Sequence, residues 1–378
     1  MKKTYHMARP HLAGREEEYV LRVLRSGILS IGPFIEKFEK TFAKKMGTRY
    51  ACAVSSGTAG LHLALIAAGI KEGDEVITSP FSFIASANAI LYVRAKPVFV
   101  DVDSMTGNID AGKIEAAITR KTRAILPVHI FGQPAQMDVI MKTAKKHKLR
   151  VIEDACESLD ATYRGKKAGT FGDAGVFAFY PNKQMTTGEG GMIVTNDKRI
   201  DELCRSLRNQ GRAPNMQWLD HKYLGYNYRL DEMSAAVGLA QMENITLLIK
   251  KRQQLAKWYG EELQRISSRV EIPHTAPHAT HTWFVYVIRI KNSRVRRDVV
   301  IESLAKKGVH TKPYLPSIHL FSFYKELFGY KKGDYPISEG ISSSVLALPF
   351  YIGLTRQDVK SIVEVLDATL QHHERIQK

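Results

Sequence analysis

Cysteine is scarce in this chain of 378 residues: the three present, Cys52, Cys156 and Cys204, lie far apart and form no CxxC pair. That argues against a disulfide-stapled scaffold and a cysteine metal site, so no metal is expected, and it fits a reducing compartment. Long apolar runs are missing as well. No stretch approaches the ~18 residues that a membrane helix needs, so membrane insertion is not expected. The opening MKKTYHMARPHLAGREEEYV lacks the apolar core of a secretory signal. Together these absences point to the cytoplasm. No internal repeat or low-complexity tract interrupts the chain.

Negative charge is also in short supply, with 38 Asp and Glu against 55 Lys and Arg and a net charge of +17. A basic excess serves either nucleic acid or small anionic substrates. The basic residues are spread along the whole chain, without a recognition-helix pattern or a basic tail, which argues against specific nucleic-acid binding. Two motif look-alikes also fall away. DVDSMTGNID (101–110) has Met105 and Thr106 where a calcium loop needs a ligand and a glycine. The block Gly188-Glu189-Gly190-Gly191 follows a polar loop and is not a GxGxxG dinucleotide fingerprint.

What is present is an alternation. The hydrophobic fraction of 44% and the length suit two domains with a large core. Helices are expected over 16–24, through Phe38 and Phe42, and over 84–92, 111–118 and 137–147. Strands are expected at 50–54, 75–79, 96–102, 122–128 and 150–152. Short apolar strands alternating with helices imply a mostly parallel sheet covered on both faces, with ligands bound beyond the strand carboxyl ends. The polar, aromatic loop 208–228 precedes a long helix expected from Asp231 to Leu263 with a break near Asn244. From about Arg265 the pattern is that of a small α+β domain, with a strand at 283–290, helices at 297–307 and 357–372, and the Pro-rich loop KPYLPSIH (312–319) as a lid or ligand-contact segment.

The stretch 151–196 organises the rest. One apolar run ends in Glu153 and Asp154; the next, 175–179, leads to Lys183 and then to the glycine block. A lysine can form a Schiff base and a carboxylate can hold a protonated pyridine nitrogen, which points to pyridoxal 5'-phosphate (PLP). Most lysines are solvated surface charges, and an Asp at a strand end often only forms a turn; the buried runs and the glycines around this pair favour the chemical reading. Ser55-Ser56-Gly57-Thr58, between a strand and a helix, offers backbone N–H groups, a hydroxyl and a helix N-terminus to a phosphate, though an ordinary N-cap gives the same pattern.

With LSIGP, SSGTAGLHLAL, SPFSFIASANAI, PVFVDVD, VIEDACE, GDAGVFAFYPNKQMTTGEGGMIVTND, LGYNYRLDEMSAA, KPYLPSIH and LALPFYIGLT in this order, the chain resembles the DegT-type sugar-nucleotide aminotransferases along nearly its whole length. The resemblance implies an α/β fold of the aspartate-aminotransferase kind (PLP fold type I). A large domain, 1–245, would carry a mostly parallel seven-stranded-type sheet flanked by helices, and 246–378 would form a smaller C-terminal α+β domain. It implies Lys183 and Asp154 as catalytic residues, with Gly57, Thr58, Phe83, Glu157 and Asn227 also binding PLP. Asn227 would reach the site of the neighbouring subunit in a homodimer with shared active sites. Ser30, Tyr314 and His319 would lie near the substrate. Glutamate or glutamine would convert PLP to pyridoxamine 5'-phosphate, and the acceptor would be a nucleotide-sugar substrate such as a 4-keto-6-deoxyhexose, for surface polysaccharide or natural-product amino sugars. Amination of a keto-cyclitol, or a non-catalytic regulatory role, is the alternative on this fold. Two residues depart from the family: Ala178 stands where a phosphate-binding serine is frequent, and Glu157 where Gln or His is frequent. Relatives that act as dehydratases carry His in place of the lysine, so Lys183 argues against that branch.

Because net charge is the one warrant for it, binding to duplex DNA should be weak and should vanish by moderate salt. Tight, sequence-selective binding at physiological salt in an anisotropy titration would contradict this.

Overall fold

The computed structural model describes residues 3–12, 14–213 and 220–376; part of the loop 208–228, residues 214–219, lies outside the described residues. Seven strands form the main sheet: β1 (Tyr50–Val54), β2 (Glu75–Thr78), β3 (Lys96–Phe99), β4 (Thr122–Ile125), β5 (Arg150–Asp154), β8 (Ala174–Ala178) and β9 (Gly191–Thr195), the small hairpin of β6 (Thr162–Tyr163) and β7 (Lys166–Lys167) standing apart. Their order is β1-β9-β8-β5-β4-β2-β3. β9 runs antiparallel to β1 and β8, while β3, β2, β4, β5 and β8 pair in parallel. The sheet is therefore α/β and mostly parallel, as its doubly buried apolar strands imply.

Helices α1 (Glu16–Ser26), α2 (Pro33–Met46), α3 (Gly57–Ala67), α4 (Ala85–Tyr92), α5 (Met137–His147) and α6 (Lys198–Arg208) belong to this part of the chain. α3, GTAGLHLALIA, has almost no polar face and is largely buried. A Cβ on Gly60 would stand 2.7 Å from Val176 of β8, so glycine is what lets α3 lie this close to the sheet. That approach brings the N-terminus of α3 to the carboxyl ends of β5 and β8. The helix expected at 111–118 is instead two 3-10 turns, Ala111–Lys113 and Glu115–Ala117. The Asp110 carboxylate accepts from the N–H of Gly112 and competes with a regular helical start.

α7 (Glu232–Leu263) is one unbroken helix, and the break expected at Asn244 is absent: the Asn244 amide donates to the Ala240 carbonyl and the helix runs on. Its first half packs Ile245, Leu248 and Ile249 with Phe38, Phe42 and Phe179; its second half packs Leu255, Tyr259 and Leu263 into another core with Tyr286 and Leu346. That second core belongs to a three-stranded antiparallel sheet of β10 (Val270–Glu271), β11 (Tyr286–Ile290) and β12 (Val345–Leu348). α8 (Arg297–Lys306), α9 (Ser322–Phe328), α10 (Pro336–Ser344) and α11 (Arg356–Ile376) complete the C-terminal part. The start of the chain returns to it, with Tyr5 buried in the same core and its N–H bonded to the Gly308 carbonyl at 2.8 Å. No described helix is long and apolar enough to cross a membrane.

Glu153 is fully buried at the end of β5. Its carboxylate accepts from the N–H groups of Gly169, Phe171 and Gly172 at 2.7, 2.6 and 2.8 Å, and meets His129 Nε2 at 2.9 Å. It fixes the loop that returns the chain to β8. Glu153→Ala leaves those donors buried and unpaired and should cost about 3–5 kcal/mol in chemical unfolding. A loss under about 1 kcal/mol would show that the loop is held by packing alone.

Candidate active site

A cavity of about 530 Å³ opens at the carboxyl ends of β5 and β8. Gly57, Thr58, Phe83, Asp154, Glu157, Lys183 and Tyr314 all line it, so seven of the sequence-derived residues meet in one place. Asp154 ends β5, and its position follows from the parallel pairing that sets Asp154 opposite Val176. One carboxylate oxygen accepts from the Ser86 hydroxyl at 2.6 Å and the other from the Cys156 N–H at 3.1 Å. Ser86 in turn stands 2.7 Å from the Ser82 hydroxyl. These serines were not singled out from the sequence, although their spacing of four at a helix start was a signal.

Lys183 follows β8 through a short loop in which its N–H donates to the Tyr180 carbonyl. Its ammonium lies 3.6 Å from Glu157 Oε1 on one side and 3.9 Å from the centroid of the Phe284 ring on another. Glu157 Oε2 accepts from the Phe131 N–H at 2.9 Å, so the carboxyl is turned to Lys183 and to backbone. Burial pushes the Glu157 carboxyl above its ordinary range, against the pull of Lys183. The Tyr314 phenol is raised well above its usual range by burial and by Glu157, and stays protonated.

The cradle at α3 is equally close-fitting. Ser56 caps the helix by accepting from the Ala59 N–H at 3.0 Å. A Cβ on Gly57 would come within 2.7 Å of the Ala178 side chain and 2.8 Å of Cys156 Sγ, so the first turn sits directly on β8 with its free N–H groups at the cavity. Ala178 offers no hydroxyl there. Asn182, on the same wall, has a buried Oδ1 with no hydrogen-bond partner among the described residues. An anion cradle, a carboxylate, a lysine and the ring of Phe83 on one cavity fit PLP: the α3 N-terminus could hold its phosphate, Asp154 its ring nitrogen and Lys183 its aldehyde.

Three expected residues are not in this cavity. Ser30 is exposed between α1 and α2, bridged to Asp231. Asn227 is exposed beside Asn209. His319 is fully buried, with Nε2 3.0 Å from the Glu339 carboxylate and its ring against Tyr335. The expectation that His319 contacts substrate is therefore corrected. After Tyr314 the chain tightens into a 3-10 turn at Ile318–Leu320, anchored by the Ile318 N–H on the Pro80 carbonyl, and the histidine goes under the loop.

Such a lysine and carboxylate on one cavity of this sheet are what a PLP-dependent enzyme needs. The chain belongs to the DegT/DnrJ/EryC1/StrS aminotransferase family, which matches residues 10–367. It is 43% identical over 366 residues to a GDP-perosamine synthase of Caulobacter vibrioides, covering 96% of this chain and 98% of that protein. It is 40% identical over 359 residues to a GDP-perosamine synthase of Escherichia coli O157:H7, covering 95% and 96%. Among solved structures it resembles DesV of S. venezuelae, with a TM-score of 0.88, 34% identity and 94% of each chain covered. The protein is a sugar aminotransferase of this family.

A carboxyl whose pKa is higher folded than unfolded holds its proton more tightly in the fold, so its contribution to stability is greatest in acid and declines as pH rises. Replacing Glu157 with Gln in cofactor-free protein should therefore raise the melting temperature more at pH 8 than at pH 4. An equal or reversed effect at the two pH values would contradict the raised carboxyl.

Proposed function

We propose that this protein transfers an amino group from glutamate or glutamine to the keto carbon of a nucleotide-linked 4-keto-6-deoxyhexose. The observation that carries this reading is the meeting of Lys183 and Asp154 on one cavity with the α3 N-terminus. The names of the two GDP-perosamine synthases favour a GDP-linked sugar as the first substrate to try.

Bound PLP supplies the electron sink and carries the amino group between donor and acceptor. Asp154 would favour a protonated ring nitrogen, and its bonds from Ser86 and the Cys156 N–H hold the carboxylate in register. The α3 N-terminus would hold the cofactor's phosphate, and the Phe83 side chain would form one wall of its site. Lys183 Nζ moves protons, taking one from the donor's α-carbon and returning one at the sugar carbon. Glu157 holds that ammonium in the site between transfers. The protonated Tyr314 hydroxyl is a donor on the cavity wall, where it would orient the sugar. The excess of positive charge draws in the substrate's diphosphate.

We also read the active form as a homodimer in which Asn227 completes the partner's site. Asn227 is exposed and does not line its own cavity, and two large apolar side chains are exposed as well: Phe83 is 64% and Leu224 89% exposed. The Asn227 amide would donate to the phosphate and make up for Ala178.

PLP-loaded protein incubated with glutamate or glutamine and a panel of keto nucleotide sugars and keto-cyclitols should aminate a 4-keto-6-deoxyhexose, read by product mass. Turnover of a cyclitol alone would replace this reading. For the shared site, Lys183→Ala and Asn227→Asp should each be inactive and should regain activity when mixed under subunit exchange, because one mixed site carries neither defect. Exchange confirmed by mass without returning activity would rule out the shared site.

A further inference from the structure

Arg252 sits where α7 passes from one core to the other, and it is almost completely buried. Among the described residues it has no carboxylate partner, and its Nε–H has no hydrogen-bond partner. Desolvation pulls its pKa down to about 10. A buried cation without a counter-ion is costly, and a methionine would fill the same space without that cost. What the guanidinium does meet is the Phe350 ring, 5.7 Å from its centroid, and three backbone carbonyls. Nη2 donates to Lys183 O at 3.0 Å; Nη1 donates to Trp283 O at 3.2 Å and Phe284 O at 3.3 Å.

These carbonyls belong to two segments that meet on one side chain. The first is the backbone of Lys183 itself. The second is the turn that carries Phe284, the ring lying 3.9 Å from the Lys183 ammonium. The turn is strained: Trp283 has φ 54°, a conformation unusual for a bulky residue. Its other bonds are all neutral: the Phe284 N–H to the Phe131 carbonyl and the Thr282 N–H to the Gly132 carbonyl, both at 2.9 Å, and the Trp283 N–H to His281 Nδ1 at 3.0 Å; Phe131 is itself left-handed at φ 58°. The neighbouring strap, Gln184 to Thr282 at 3.2 Å, is neutral.

We propose that Arg252 is a positioning residue for Lys183: by clamping the Lys183 carbonyl to the strained 283–284 turn it holds the Phe284 ring over the lysine's ammonium and limits the arc through which Nζ moves. One residue thereby fixes both ends of the same side chain, through the backbone at one end and through an aromatic wall at the other. Only a planar, multi-donor group can bridge three carbonyls in this way, so lysine is not an equivalent.

The test compares Arg252→Met, Arg252→Lys and Phe284→Leu. In cofactor-free protein, hydrogen exchange at the Phe284 amide should quicken about tenfold or more in Arg252→Met while the strands of the main sheet keep their protection. PLP should bind about tenfold more weakly, the loss expected for one charged hydrogen-bond contact, and the visible circular dichroism of bound cofactor should change. The kcat should fall by tenfold or more with KM for the sugar nucleotide nearly constant, since Arg252 bonds only backbone carbonyls and none of the groups assigned to the sugar nucleotide. Arg252→Lys should recover little. Phe284→Leu, which keeps Arg252 in place, should reproduce the kcat loss and the dichroism change, and it serves if Arg252→Met does not fold. Wild-type exchange, dichroism and kcat in either Arg252→Met or Phe284→Leu would overturn the proposal. The exchange and PLP measurements need no sugar, so their failure is separate from a wrong substrate.

Discussion

The parallel pairing of β5 with β8 is the constraint on which this molecule depends. It sets Asp154 opposite Val176 and so places the carboxylate and the chain leading to Lys183 at neighbouring strand ends. Everything around the pair keeps that register. Gly60 lets α3 rest on Val176, Glu153 ties the returning loop, and Gly57 seats the N-terminus of α3 against Ala178. If β8 slipped by one residue, its side chains would exchange faces and Lys183 would leave the cavity.

The site is also a balance of buried charges. Glu153 has a fully satisfied carboxylate and serves structure. Glu157 keeps one oxygen for Lys183 and has its pKa raised by burial. Arg252 has carbonyls but no acid among the described residues. Such groups weaken a fold compared with apolar packing, and the meeting of Glu157 and Arg252 on one lysine agrees with a site built for chemistry.

Much of the fold was legible in the sequence because doubly buried strands are short and apolar, and because Gly-rich turns mark where backbone must pass closely. The residues 151–196 could be read as strand, carboxylate, strand, lysine and glycine block. Other features depended on tertiary contacts. Residues 111–118 have helical spacing, yet the Asp110 side chain diverts the backbone into 3-10 turns. Asn244 reads as a helix breaker, yet packing on both sides carries α7 through it. α9, α10 and β12 are short and follow one another closely, so no periodicity develops. His319 lies five residues from Tyr314, but nearness in sequence does not tell which side of a loop a ring takes. Arg252, within KKRQQ, looks like a solvated charge, and its burial comes from the crossing of α7 with the 283–284 turn.

The most direct test of the account is chemical. Purified protein loaded with PLP should be yellow, and borohydride reduction followed by digestion and mass mapping should leave the cofactor's mass on the peptide containing Lys183. Finding that mass on another lysine, or on none, would contradict the central claim that Lys183 is the residue around which this site is built.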